Sequence, residues 1–145
     1  PLSVTLTTDK IYNAFYDNDI KKGFLHSHSY TGNPLACSAA LGMLSIFESN
    51  NVLLENKNKA IKINRLLENY KNLPIKDLRN IGMIWAFELD LNIDIDKVTA
   101  YCINHGLLIR PIGNTIYFMP PYSLNDSEIK HMITVTEQGI KQACI

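Results

Sequence analysis

"HGLLIRPIGNTIYFMPPY", residues 105–122, is the stretch on which the reading of this chain turns. It reads as two short apolar strands, about 107–110 and 115–119, joined across Gly113-Asn114, a pair suited to a tight turn. Pro120-Pro121 stops the second strand, because proline has no N–H to give a ladder. Arg110 closes the first strand directly before Pro111, and Tyr117 sits on the returning one. Two strands this short are not stable alone, so their neighbours decide the fold.

Upstream, "IKDLRNIGMIWAFELD" reads as a long strand region with Gly82 as a bend or bulge. Trp85 lies in a part that alternates poorly, as a residue packed in the core would. A helix over about 96–105 runs between the strand regions and ends at Gly106, a good residue just past a helix end. Downstream, Asn125 followed three residues later by Glu128 predicts a capped start to a last helix, with Ile129, Met132, Ile133, Thr136 and Ile140 on one face. Further back, a helix over roughly 52–72 repeats Leu53, Ala60, Ile63, Leu66, Leu67 and Tyr70 at helical spacing; its "KNKAIKINR" reads as a solvated face. Before it, Asn33 caps and Pro34 opens a helix rich in small residues, "NPLACSAALGMLSIFE". From Asn33 the order is α-α-β-α-β-β-α. Without regular βα alternation, that order predicts an α+β domain with a mainly antiparallel sheet and helices on one face.

Residues 1–32 read as a β-branched strand "LSVTLTT", a short helical stretch "DKIYNAFYDN", and a loop "FLHSHSYTG". A lone strand at the start has no partner, so the chain is expected to be a piece of a longer protein, cut inside another domain. Apolar residues make up 46% and charged residues 19%, enough to build a core. The formal net charge of +0 argues against a nucleic-acid binder, which must neutralise phosphates. No apolar run reaches membrane-spanning length. Cys37, Cys102 and Cys144 are odd in number and far apart, as free thiols in a reducing cytoplasm would be.

Two places carry candidate chemistry. A strand-end arginine often keeps its head in solvent while its stem packs. Held between Leu107-Leu108-Ile109 and Pro111, however, the guanidinium of Arg110 is mounted for bidentate binding of a carboxylate or phosphate. In "HSHSYTGNP", Ser27, Ser29 and Thr31 precede a helix start, where hydroxyls and unpaired N–H groups can cradle a phosphate. An ordinary capped polar loop fits the same residues equally well. His26 and His28 alternate, but no third and fourth ligand accompanies them, so no metal site is expected.

Taken in order, "PLSVTLTT…IYNAFY", "FLHSHSYTGNPLACSAALGMLSIFE", "LRNIGMIWAFEL" and "GLLIRPIGNTIYFMPPY" resemble the C-terminal part of a class III, fold-type I aminotransferase dependent on pyridoxal 5'-phosphate. The likeness spans essentially the whole chain. "HSYTGNPLAC" resembles the class as a whole, and "IRPIGNTIYFMPPY" its branch in biotin synthesis. The resemblance implies that residues 1–32 are the tail of the large cofactor domain and 33–145 the small C-terminal domain with its connecting helix. It implies a homodimer with shared active sites, passing an amino group from S-adenosylmethionine to 8-amino-7-oxononanoate. Arg110 then corresponds to the residue receiving the acceptor's carboxylate, and Tyr117 to a tyrosine of the same pocket. Ser29 corresponds to a hydroxyl residue bonding the cofactor phosphate of the neighbouring subunit. His28, beside it, is expected with Ser29 on the cofactor and stands where many relatives have proline; Ser27 is expected at the substrate and stands where they have a glycine. The lysine that holds the cofactor would lie just upstream of Pro1, so no residue of this chain is expected to be catalytic; Lys10 matches no family lysine. Two rival readings are a class III enzyme acting on another ω-amino acid, and a non-catalytic anion-binding or dimerisation module.

Overall fold

The computed structural model describes residues 2–144, in two compact units that divide between Asn51 and Val52. In the first unit, residues 2–8 are unpaired coil and not the expected strand. A strand needs a partner for its N–H and C=O groups, and none of the described residues offers one. Helix α1 (Asp9–Phe15) follows. A single 3-10 turn, Ile20–Lys22, comes next, capped by the Asp19 side chain on Lys21 N–H. Helix α2 (Pro34–Ser49) starts as anticipated, with Asn33 accepting from Ala36 N–H at 3.0 Å and Pro34 in the first turn. Its chain leaves the helix at Asn50, which is extended. No described residue of this unit is buried, and Leu35, Leu41, Met43, Leu44 and Ile46 of α2 are exposed.

The second unit holds the core. Helix α3 (Val52–Leu67) tightens into a 3-10 turn over Glu68–Asn72, so the expected single helix to 72 changes pitch in its last stretch. Strands β1 (Ile75–Ile81) and β2 (Ile84–Leu89) form a hairpin. Gly82, with φ +54°, makes the turn between them, so the anticipated bend is a full reversal. The sheet's irregularity lies instead between Lys76 and Arg79, where Asp77 has φ +52° and its carboxylate pairs with Arg79. Aspartate is among the few side chains that tolerate this backbone region. Helix α4 (Ile95–Asn104) is capped by Asp94 and ends before Gly106, at φ +76°. Strand β3 (Thr115–Phe118) pairs antiparallel with β2. Helix α5 (Asp126–Ala143) opens with the full Asn125–Glu128 capping box. The order β1-β2-β3, all antiparallel, with helices α3 to α5, is the anticipated α+β arrangement.

The 107–110 segment is not a strand. Its backbone makes no ladder; the first pairing is the Ile112–Thr115 bridge. Pro111 supplies no N–H, and Leu107 N–H already bonds back to Cys102 O at 2.9 Å to finish α4.

On β2, Trp85, Phe87 and Leu89 are buried, and on β3 so are Ile116 and Phe118. They join Ile63 and Leu67 of α3, Val98 and Cys102 of α4, and the apolar face of α5 in one cluster. Trp85 is thus a core residue, as expected, and its indole N–H donates to Asn64 Oδ1 at 2.6 Å. The Tyr70 ring meets Phe87 edge-on, and its hydroxyl donates to Ile133 O at 2.8 Å. Burial pushes the Tyr70 phenol well above its ordinary range. Stability should therefore fall as pH rises past about 10, because the unfolded chain releases this proton while the folded one holds it. Tyr70→Phe should flatten that dependence and cost about 1 kcal/mol at neutral pH, read as a lower denaturant midpoint at unchanged slope.

Candidate functional site

Each unit carries one candidate locus. In the first unit the loop before α2 is a built turn. His28 N–H donates to Thr31 Oγ1 at 3.0 Å, and Tyr30 N–H donates to His28 Nδ1 at 3.1 Å. Thr31 N–H donates to His28 O and Asn33 N–H to Tyr30 O, at 2.8 and 3.0 Å. Gly32 takes φ +71° to complete the turn. These bonds leave Ser27 and Ser29 outside the network. Both are exposed, and neither their hydroxyls nor their N–H groups have a partner among the described residues.

The start of α2 itself offers little to an anion. Pro34 has no N–H, Ala36 N–H is taken by Asn33 Oδ1 and Cys37 N–H by Asn33 O, which among the described residues leaves Leu35 N–H as the open donor of the first turn. Donors for a phosphate in this loop are therefore the hydroxyls and amides of Ser27 and Ser29, more than the helix terminus. A cavity of about 610 Å³ opens beside the turn, walled by Leu2, Ser3, His28, Tyr30, Thr31 and Gly32. Ser29 is not among those walls. The two histidines are tied to aromatic neighbours, His26 stacking on Phe24 and His28 tilted against Tyr30. Among the described residues, no group of three or more His, Cys, Asp or Glu is placed to hold a metal ion.

The second locus is the hairpin of the opening stretch. Ile112 and Thr115 exchange both backbone bonds, at 2.9 and 3.0 Å, around Gly113-Asn114. Gly113 at φ +55°, with only the first central residue at positive φ, fits the turn that matches strand twist. Arg110 lies two residues before the bridge and Tyr117 two residues after it, with no ladder between them. Arg110 is exposed, and its guanidinium makes no ion pair or hydrogen bond among the described residues. Tyr117 is half-buried, facing Ala86 of β2 across the ladder. A groove of about 630 Å³ lies along the hairpin, with Leu107, Ile109, Tyr117, Met119, Pro120 and His131 among its walls. Ile109 lines it while Arg110, the next residue, does not. The arginine thus flanks the groove and is free to meet an anionic end of whatever lies in it.

One residue of this region escapes sequence reasoning. Lys59 lies in "KNKAIKINR", which reads as solvated, yet its ammonium donates to Tyr122 O at 2.5 Å and Leu124 O at 2.8 Å. One turn on, Lys62 pairs with Asp126 at 3.2 Å. Both contacts span more than sixty residues of sequence, so periodicity gives no sign of them.

Comparison with known proteins agrees with this picture. A family model described as Aminotransferase class-III matches residues 1–140. The adenosylmethionine-8-amino-7-oxononanoate aminotransferase of Helicobacter pylori is 43% identical over an alignment spanning 92% of this chain and 33% of its own length. The enzyme of that name from Methanocaldococcus jannaschii is 37% identical over 99% of this chain and 34% of its own. The crystal structure of the M. jannaschii enzyme superposes with a TM-score of 0.87 at 34% identity, covering 96% of this chain and 35% of that one. A Bacillus anthracis aminotransferase gives 0.81 at 26% identity, over 92% and 34%. The chain therefore spans about a third of the length of the relatives it matches. With the family model matched along nearly its whole length and solved relatives superposing over more than nine-tenths of it, the chain belongs to the class-III aminotransferases.

Proposed function

We propose that this chain forms the C-terminal third of an aminotransferase that moves an amino group from S-adenosylmethionine to 8-amino-7-oxononanoate, giving 7,8-diaminopelargonate for biotin synthesis in the cytoplasm. The observation that carries this reading is Arg110, a guanidinium with no partner among the described residues, which directly follows Ile109 in the wall of a mainly apolar groove that Tyr117 also lines. The acceptor is an ω-carboxylate on a long apolar chain, and groove and cation match those two parts. The relatives named above support the choice of substrates. In the whole protein, residues 1–32 would complete the large domain and residues 33–145 would form the small one.

Bound pyridoxal 5'-phosphate supplies the electrophilic carbonyl and electron sink that let an amino group be taken up and delivered. The residues present fit its phosphate: Ser29 and Ser27 offer four unpaired donors in a turn that His28 and Thr31 hold in shape. Arg110 binds and orients the acceptor, which is a positioning role. Tyr117 narrows the pocket, whose walls are mainly apolar with Ser127, Glu128 and His131 among them. Covalent attachment and proton transfer fall to a lysine outside this chain. The whole enzyme is a homodimer in which Ser29 serves the partner's cofactor.

Two assays test this. The full-length protein, loaded with cofactor, should convert the keto acid when given S-adenosylmethionine; conversion only of other ω-amino acids would refute the substrate assignment. The 145-residue chain alone should show no transaminase activity. Treated with pyridoxal phosphate and then borohydride, it should carry no stoichiometric pyridoxyl adduct in peptide maps. A defined adduct on Lys10 or any other residue here would overturn the placement of the lysine.

A further inference from the structure

We propose that Lys59 is a positioning residue for the amino acceptor, holding the wall of the Arg110–Tyr117 groove in place from the neighbouring helix. The inference rests on the functional reading above and assigns a role to a residue which that reading leaves out. Strand β3 ends at Phe118, and the chain then runs through Met119, Pro120 and Pro121, three walls of the groove, to Leu124, a fourth. Two prolines in succession cannot donate to any ladder. Within the segment Leu124 N–H donates to Pro121 O at 3.2 Å. A segment that two prolines keep out of any ladder gains a fixed surface from a side-chain anchor on a neighbouring element.

Lys59 supplies that anchor. Its ammonium reaches from α3 to the carbonyls of Tyr122 and Leu124, at 2.5 and 2.8 Å. Hydrogen bonds from a charged donor are about twice as strong as neutral ones. The clamp acts at the end remote from β3, so one end is held by the sheet and the other by Lys59 together with the Asn125–Glu128 capping box that opens α5. Lys62, paired with Asp126, lies on the same helix but acts beyond the groove walls, between two side chains that are both largely exposed. An exposed pair of that kind contributes little, which makes Lys62 the natural control.

The test uses the full-length enzyme with its cofactor. Lys59→Met keeps the apolar stem and removes the charge. It should raise KM for 8-amino-7-oxononanoate by about tenfold while the S-adenosylmethionine half-reaction stays within about twofold. Hydrogen exchange in the peptide covering 119–126 should quicken. Lys59→Arg should restore most of the KM, and Lys62→Met should leave both readouts near wild type. If exchange is unchanged, or both half-reactions weaken equally, Lys59 has no positioning role. If the wild-type enzyme transfers nothing to the keto acid, the functional reading falls and this role falls with it, whatever the exchange data show.

Discussion

Arg110→Ala in the full-length protein is expected to lower kcat/KM for 8-amino-7-oxononanoate by about 10- to 150-fold, the equivalent of about 1.5–3 kcal/mol for a lost charge-assisted pair. The geometry sets both the size and the selectivity of the loss. Arg110 has no partner among the described residues, so its removal leaves none of their buried acceptors stranded, and the folded state should keep its stability. The turn at Gly113-Asn114 and the burial of Ile109 fix the backbone on which the guanidinium is mounted. The interaction is therefore made with little loss of backbone freedom, as a strong positioning contact requires. Single-turnover rates should separate the two half-reactions, the acceptor half carrying most of the loss. S-adenosylmethionine also bears a carboxylate, so a smaller loss there is consistent with the role. Arg110→Lys should recover only part of the activity, because an ammonium cannot make the two parallel bonds of a guanidinium. Unchanged rates in both halves would show that Arg110 does not meet the substrate.

What could be read from the sequence, and what could not, divides along physical lines. Elements with a local signature are where the residues place them. Asn33-Pro34 and Asn125–Glu128 start helices through bonds within four residues. Gly106 and Gly113 sit where only a positive φ closes the chain. The alternation of Ile116 and Phe118 with Tyr117 fixes which face of β3 is buried. The misreadings concern pairing, which is not local. "LSVTLTT" and "LLIR" both have strand composition, but strand propensity acts only where a neighbouring edge exists. The first has none among the described residues, and the second is cut off by Pro111 one residue before the bridge begins. The bulge at Asp77 gave no signal, since aspartate at positive φ is one of several outcomes for that residue. At the site, the mounting of Arg110 is legible in its apolar flank and Pro111, while the roles of Arg110, Tyr117 and Ser29 follow only from motif resemblance; the structure adds that Arg110 and Ser29 have no partner among the described residues. Lys59 was invisible because its partners are carbonyls, and every residue has one.

Mixing two inactive full-length variants, Ser29→Asp and one lacking the cofactor lysine, should restore activity toward about a quarter of wild type, assuming random exchange into closed two-fold dimers. The argument starts from the loop. Ser29 projects from a turn held by His28 and Thr31, with its hydroxyl and amide unspent and no described residue to use them on. A carboxylate in its place would repel a phosphate bound there, so Ser29→Asp should be close to inactive. The unit that carries this loop buries no described residue, and α2 beyond it presents Leu35, Leu41 and Leu44 to the outside. Such a surface is suited to close contact with other protein, which is the setting a shared site needs. If Ser29 reaches the cofactor phosphate of the partner, a mixed dimer has one site with both lesions and one site with neither. If the contact is made within one subunit, each site of the mixed dimer carries one lesion and both stay dead. Half of the dimers are mixed after random exchange, and one of their two sites works, which gives the quarter. Subunit exchange should be confirmed by native mass spectrometry before the assay. Mixed dimers that form without any return of activity would refute the contact across subunits while leaving the acceptor site at Arg110 untouched.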